Sequence, residues 1–310
     1  MRHETWRWLL AVGISGWLLT GMAPAYRATG GKDVQTELQT VAERWGRAPV
    51  NARLDRVWHA VPGLCGWKLD VAESVKASEA HHDGHLHMVW RTVPPRVRLN
   101  DLPAEPVYRG PKEEKSACLM FNVSWGEEYI PAILETLSAQ HAKATFFLDG
   151  KWVEKHPQLA RQIRDTGMDI GSHGSGHPDF RKLSNAQLVR QIEGSREVIR
   201  RATGAQVDLF APPAGSYDQR FVNLARQHGG YTILWTVDTV DWRRPPAAEI
   251  ERRAVQLAEP GMLLLMHPTQ PTAKALPAVI RGLREQGYSL KTVDDLVHEQ
   301  PATTPPDLLR

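Results

Sequence analysis

Two cysteines among 310 residues are too few for a disulfide framework. Cys65 and Cys118 lie in different parts of the chain, and Cys118 sits in an apolar run where a buried free thiol is expected. Net charge is scarce as well: 38 Lys and Arg against 35 Asp and Glu leave +3, with no basic, aromatic-interleaved patch. That balance excludes a nucleic-acid binder and allows only mild attraction to anionic polymer or lipid surfaces. Long hydrophobic runs are missing too. The run Trp8 to Leu19 falls short of the roughly 20 residues that span a bilayer. It follows Arg2 and Arg7 and leads into Ala23-Pro24-Ala25. It reads as a secretory signal peptide over residues 1–25, with an uncleaved membrane anchor as the alternative. Either one puts the bulk of the chain outside the cytoplasm, secreted or membrane-anchored.

With 42% hydrophobic content the chain can bury a sizeable core. Val34, Leu38, Val41 and Trp45 recur at helical spacing, and a strand from Gly66, a helix from Glu73 to Ala80 and a strand from Leu86 to Val93 follow. Residues 33–93 therefore read as a small α/β unit, and the histidines at 81, 82, 85 and 87 as part of a solvated turn. Residues 94–112 are rich in proline and predict an extended linker. From 113 to 298 strand-like runs alternate with helical patterns at Tyr129–Gln140, Pro157–Thr166, Ser184–Ala202, Asp218–His228, Ala247–Ala258 and Ala275–Gln286. Residues 299–310, with three prolines from Pro301 on, read as a disordered tail.

Chemistry gathers where the strand-like runs end, which is where α/β barrels place their active sites. The run Met168-Asp169-Ile170-Gly171 leads into Ser172-His173-Gly174-Ser175-Gly176-His177-Pro178, two imidazoles at a metal-ligand spacing. Cys118 to Phe121 leads into Asn-Val-Ser-Trp-Gly, Tyr231 to Val237 into Asp-Thr-Val-Asp-Trp, and Met262 to Met266 into His267. Together with Ala211-Pro212-Pro213-Ala214-Gly215, these segments resemble, in order, the five signature motifs of the polysaccharide deacetylases, the NodB-homology domain of carbohydrate esterase family 4. The resemblance spans roughly 113–298. It implies a distorted (β/α) barrel of the NodB-homology type, here preceded by the small N-terminal α/β unit. It also implies a divalent metal, zinc by the chemistry of such sites, held by His173 and His177. By the same resemblance Asp241 orients His267 as general acid, Trp242 and Leu265 line the acetyl pocket, and Pro213 and Ala214 border the oxyanion position.

The departures are as informative. The family's first motif reads Phe-Asp-Asp-Gly, supplying the general base and a third metal ligand, whereas this chain reads Phe121-Asn122-Val123-Ser124. Asn122 cannot accept a proton at neutral pH, and loss of a positioned base costs about 10²–10⁴ in rate. Val123 offers no ligand atom; Asp149, Glu127 and Asp238 are the nearest substitutes, Asp149 having an ordinary helix-start turn as its alternative role. The family's Arg before the two prolines is replaced by Ala211, which spares the site a buried charge facing Asn122. Two functions follow from these readings. One is an exported, metal-dependent hydrolase of N-acetyl groups on cell-wall glycan; the other is a catalytically silent relative that binds such a polysaccharide in the same groove.

Overall fold

The computed structural model describes residues 26–27, 33–81 and 85–299. The signal-peptide segment, the turn at 82–84 and the chain beyond 299 lie outside the described residues. Contacts divide the described chain into two compact units, residues 33–46 with 69–91, and residues 47–68 with 92–299. In the first unit the helices Val34–Trp45 and Val71–His81 enclose a small apolar cluster of Leu38, Val41, Leu69 and Leu86.

The second unit is a distorted (β/α) barrel built on eight parallel strands: β1 (Ser116–Val123), β2 (Thr145–Leu148), β3 (Asp169–Ser172), β4 (Leu209–Phe210), β5 (Tyr231–Thr232), β6 (Val237–Asp238), β7 (Met262–Met266) and β8 (Ser289–Lys291). The sheet runs in the order β5-β4-β3-β2-β1-β7-β6, with β8 also paired to β1. Every residue of β1 and β7 is buried, as a parallel strand covered on both faces requires. The six predicted barrel helices are present, as 130–139, 157–165, 185–203, 219–227, 247–256 and 270–285. The last begins earlier than its periodicity suggests, because Thr269 caps it and Pro271 sits in the first turn, where no amide is missed.

Strand alternation sorts the core into two layers. Phe121, Val123, Phe146, Ile170, Leu264 and Met266 face the helices, whereas Cys118, Met120, Phe147, Leu209, Ala211 and Leu265 face the barrel interior. Leu–Phe-sized side chains buried in this way contribute about 1.5–3 kcal/mol each. Both cysteines are free, their thiols donating to the carbonyls of Glu299 and Thr292 at 3.3 Å.

Three segments depart from expectation, the first being residues 47–68, expected in the small unit and grouped by contacts with the barrel. The proline-rich stretch before the barrel is folded rather than a free tether. Val107 bridges Ile233, Arg109 bridges Met262, and Leu99 and Val107 are fully buried. Its prolines leave only a single helical turn at Leu99–Asp101, but the apolar residues between them still find a core. At the other end Glu299, assigned to the tail, is buried and accepts N–H bonds from Gly63 (2.7 Å) and Leu99 (3.0 Å).

Candidate active site

The inward-facing positions at the strand ends carry the chemistry. Asn122 follows Cys118 and Met120 on β1, His173 stands just past β3, Ala211 just past β4, and His267 just past β7. Period-two alternation thus converges four strand ends on one mouth of the barrel.

The His173–His177 loop is held by a buried carboxylate. Asp149 caps the helix Gly150–Lys155 by accepting the Trp152 N–H at 3.1 Å, and its other oxygen accepts the N–H groups of Gly176 (2.6 Å) and His177 (3.2 Å). Its role is therefore structural, and both its oxygens are engaged. His173 is buried and its Nδ1 donates to the Ala211 carbonyl at 2.8 Å, leaving Nε2 as an acceptor or ligand atom. Burial, reinforced by His177, holds its pKa down at about 3, so the ring stays neutral through the working range. His177 is exposed, its ring edge-on to His173 with centroids 5.3 Å apart.

On the other side of the mouth Asp241 is completely buried. One of its oxygens accepts the His267 Nδ1–H at 2.8 Å; the other accepts the His267 backbone N–H at 2.6 Å and the Thr272 hydroxyl at 2.7 Å. This fixes the tautomer and directs Nε2 of His267 outward. Leu265 is buried, Trp242 is half exposed beneath the Arg243 guanidinium, and Ala214 is exposed after the buried Pro213. His177, Ala214, Val240 and Arg244 all hold left-handed backbone with φ of 52–58°. Such conformations cost about 1–3 kcal/mol each and gather at functional sites, the β-branched Val240 being the least comfortable of them.

The fold and this arrangement match known proteins. The polysaccharide deacetylase family profile matches residues 109–233. The chain is 37% identical over 273 residues to the uncharacterized protein YlxY of Bacillus subtilis, covering 87% of this chain and 86% of that one. It is 30% identical over 203 residues to the peptidoglycan-N-acetylmuramic acid deacetylase PdaA of the same organism, covering 64% of this chain and 77% of PdaA. The chain belongs to the polysaccharide deacetylase family. Among solved structures it resembles a carbohydrate esterase family 4 pseudoenzyme from Bacillus anthracis, with TM-score 0.80, 36% identity, and 89% of this chain and 98% of that one covered. A mutant of that pseudoenzyme with restored enzymatic activity matches equally well, with TM-score 0.79 and 35% identity over 87% of this chain and 100% of the mutant.

Polysaccharide deacetylases are generally metal-dependent, and the donor set here can be tested against that need. Val123 packs among Phe121 and the helix-facing core, Asp149 is taken up by backbone amides, Asp238 accepts the Val240 N–H at 2.7 Å, and Glu127 stands 3.8 Å from His156. Among the described residues the one group of three metal-ligating side chains is Asp208, Asp294 and His298, which does not include the paired histidines. His173 and His177 therefore do not fit the three-ligand site that a catalytic zinc requires.

Sequence reasoning missed one contributor and under-read two others. Thr272, which bonds Asp241, carried no signal. Trp125, parallel to the His267 ring at 6.0 Å, lay in the run quoted for the first motif. Asp149 was named as a possible ligand, and its two-sided structural use emerges from the fold alone.

Proposed function

We propose that this chain is an extracytoplasmic, glycan-binding member of its family that engages N-acetylated cell-wall polysaccharide in the barrel mouth and hydrolyses it slowly or not at all. The observation that carries the reading is the end of β1. Asn122 replaces the base, and its Oδ1 is buried with no protein partner. Val123 faces the helix layer, and among the described residues no other carboxylate completes a ligand set with His173 and His177. The relatives named as peptidoglycan deacetylases support the glycan class, and the likeness to a pseudoenzyme supports loss of turnover. The basic-then-apolar N-terminus supports export, by a cleaved signal or by membrane attachment; no helix among the described residues is long and apolar enough to cross a membrane. In this reading residues 113–298 form the glycan-binding domain. Pro213, Ala214, Trp242 and Leu265 border the sugar, and Asp241 holds the His267 ring toward it.

The second reading is a metal-dependent deacetylase. It is favoured by the bonded Asp241–His267 pair and by the free Nε2 of His173, and it requires a third ligand from outside the set found here. Zinc content of the purified chain, set beside a His173→Ala, His177→Ala double variant, separates the two. The glycan-binding reading expects no stoichiometric zinc in either protein and retained binding of acetylated glycan. Stoichiometric zinc lost in the double variant, with release of acetate from the glycan, would establish the hydrolase instead.

A further inference from the structure

The strand end that lacks the catalytic carboxylates carries something else. Five large apolar side chains are exposed among the described residues, and the two aromatic ones are Trp125 (38%) and Trp242 (48%). Trp242 is next in the chain to Asp241, the partner of His267, and Trp125 stacks on the His267 ring with planes within 3°. Exposed indoles gathered at a barrel mouth are unusual for a solvated surface and ordinary for a binding wall.

Trp125 is also held in place. Gly126 has φ of +83°, and a Cβ there would collide with the Pro268 carbonyl. The turn after β1 therefore lies directly on the backbone that follows His267, a close approach only glycine permits. In the same run Asn122 Oδ1 and Ser124 Oγ are buried without protein partners. A flat apolar wall carried on a polar run suits a sugar ring, which presents C–H bonds on its faces and hydroxyls around its rim.

We infer that the run Asn122 to Gly126 is a carbohydrate-recognition element, in which Trp125 is the wall that a pyranose ring of the glycan stacks on. This rests on the glycan-binding reading above and adds the residue that does the binding. A stacked wall fixed in advance loses little side-chain freedom on binding, so its contribution to affinity is large for one residue.

Calorimetric titration of the full chain with an N-acetylglucosamine tetramer tests it. Wild type binds, Trp125→Ala binds about tenfold more weakly or worse, Trp125→Phe keeps most of the affinity, and Leu257→Ala, an exposed apolar residue at a helix end, is unchanged. Circular dichroism checks that each variant is folded. An independent readout needs no variant: the tetramer protects Trp125 of the wild type from N-bromosuccinimide oxidation, followed by peptide mass spectrometry. Unaltered binding by Trp125→Ala, or unprotected Trp125 in the saturated complex, overturns the inference and leaves the glycan-binding reading standing. A wild type that does not bind the tetramer overturns both.

Discussion

The two sides of the barrel mouth differ in what else their residues hold up. On one side Asp241 bonds the ring and the backbone of His267 together with the Thr272 hydroxyl, so one carboxylate ties the end of β7 to the helix that follows. On the other, Asn122 ends β1 with its Oδ1 bonded to no protein group, and Val123 only fills the helix-facing core. The family's two carboxylates can be missing from β1 without disturbing the barrel, whereas removing Asp241 strands both N–H donors of His267, the Thr272 hydroxyl keeping its bond to Thr269. An intact acid–orienter pair is therefore poor evidence of turnover where the orienter also carries the fold.

The largest test of this contrast is Asp241→Ala. Each stranded buried donor costs about 1–3 kcal/mol, so urea unfolding should show a loss of about 3 kcal/mol or more, while Asn122→Ala should cost far less. Equal losses would erase the distinction between the two sides. Next in size is the double variant Asn122→Asp, Val123→Asp. A carboxylate among Phe121 and its neighbours is costly without a cation. The variant should melt below wild type in chelator, and zinc held by the new interior-facing carboxylate at 122 with His173 and His177 should restore about 2.7 kcal/mol at a hundredfold excess over Kd, while wild type shows no such response. A wild type stabilised equally by zinc would mean that its metal site is complete.

Asp149→Ala comes third. Loss of the helix cap together with two loop bonds should cost about 1–2 kcal/mol, and the His173–His177 loop should exchange its amides faster. The smallest effect lies away from both sides. His298 is bonded to Asp208 (2.9 Å) and Asp294 (3.0 Å), and these bonds, that to Asp208 first, push its pKa up to about 10 from 6.5. Its folded value is the higher one, so the stabilisation is complete below pH 6.5 and is lost as pH rises through 10. The ring is partly exposed and screened, so the melting temperature should fall only modestly between pH 7 and 10, and His298→Asn should flatten that limb.

Much of the barrel was legible because its strands are continuous apolar runs and its helices are strongly periodic. The helix 150–155 was not, since six residues give no usable period. The stretch 94–112 misled because proline density reports the absence of helix and says nothing about burial. At the site, His173, His177, Asp241 and His267 were readable as residue types at strand ends. The helix-start role of Asp149 was readable too, but its hold on the His177 loop and the bond of Thr272 were not, because they join segments 28 and 31 residues apart.

By itself the amino-acid order determined the family, the alternation of strand and helix, and the loss of both carboxylates at the end of β1, because these depend on residue identity and local spacing. Only the tertiary structure decided that no neighbouring acid among the described residues replaces them, that Asp241 is part of the framework, and that Trp125 lies along His267. Each of those is a matter of which atoms lie within bonding reach, and the folded sheet, with its register and close-packed loops, sets that reach.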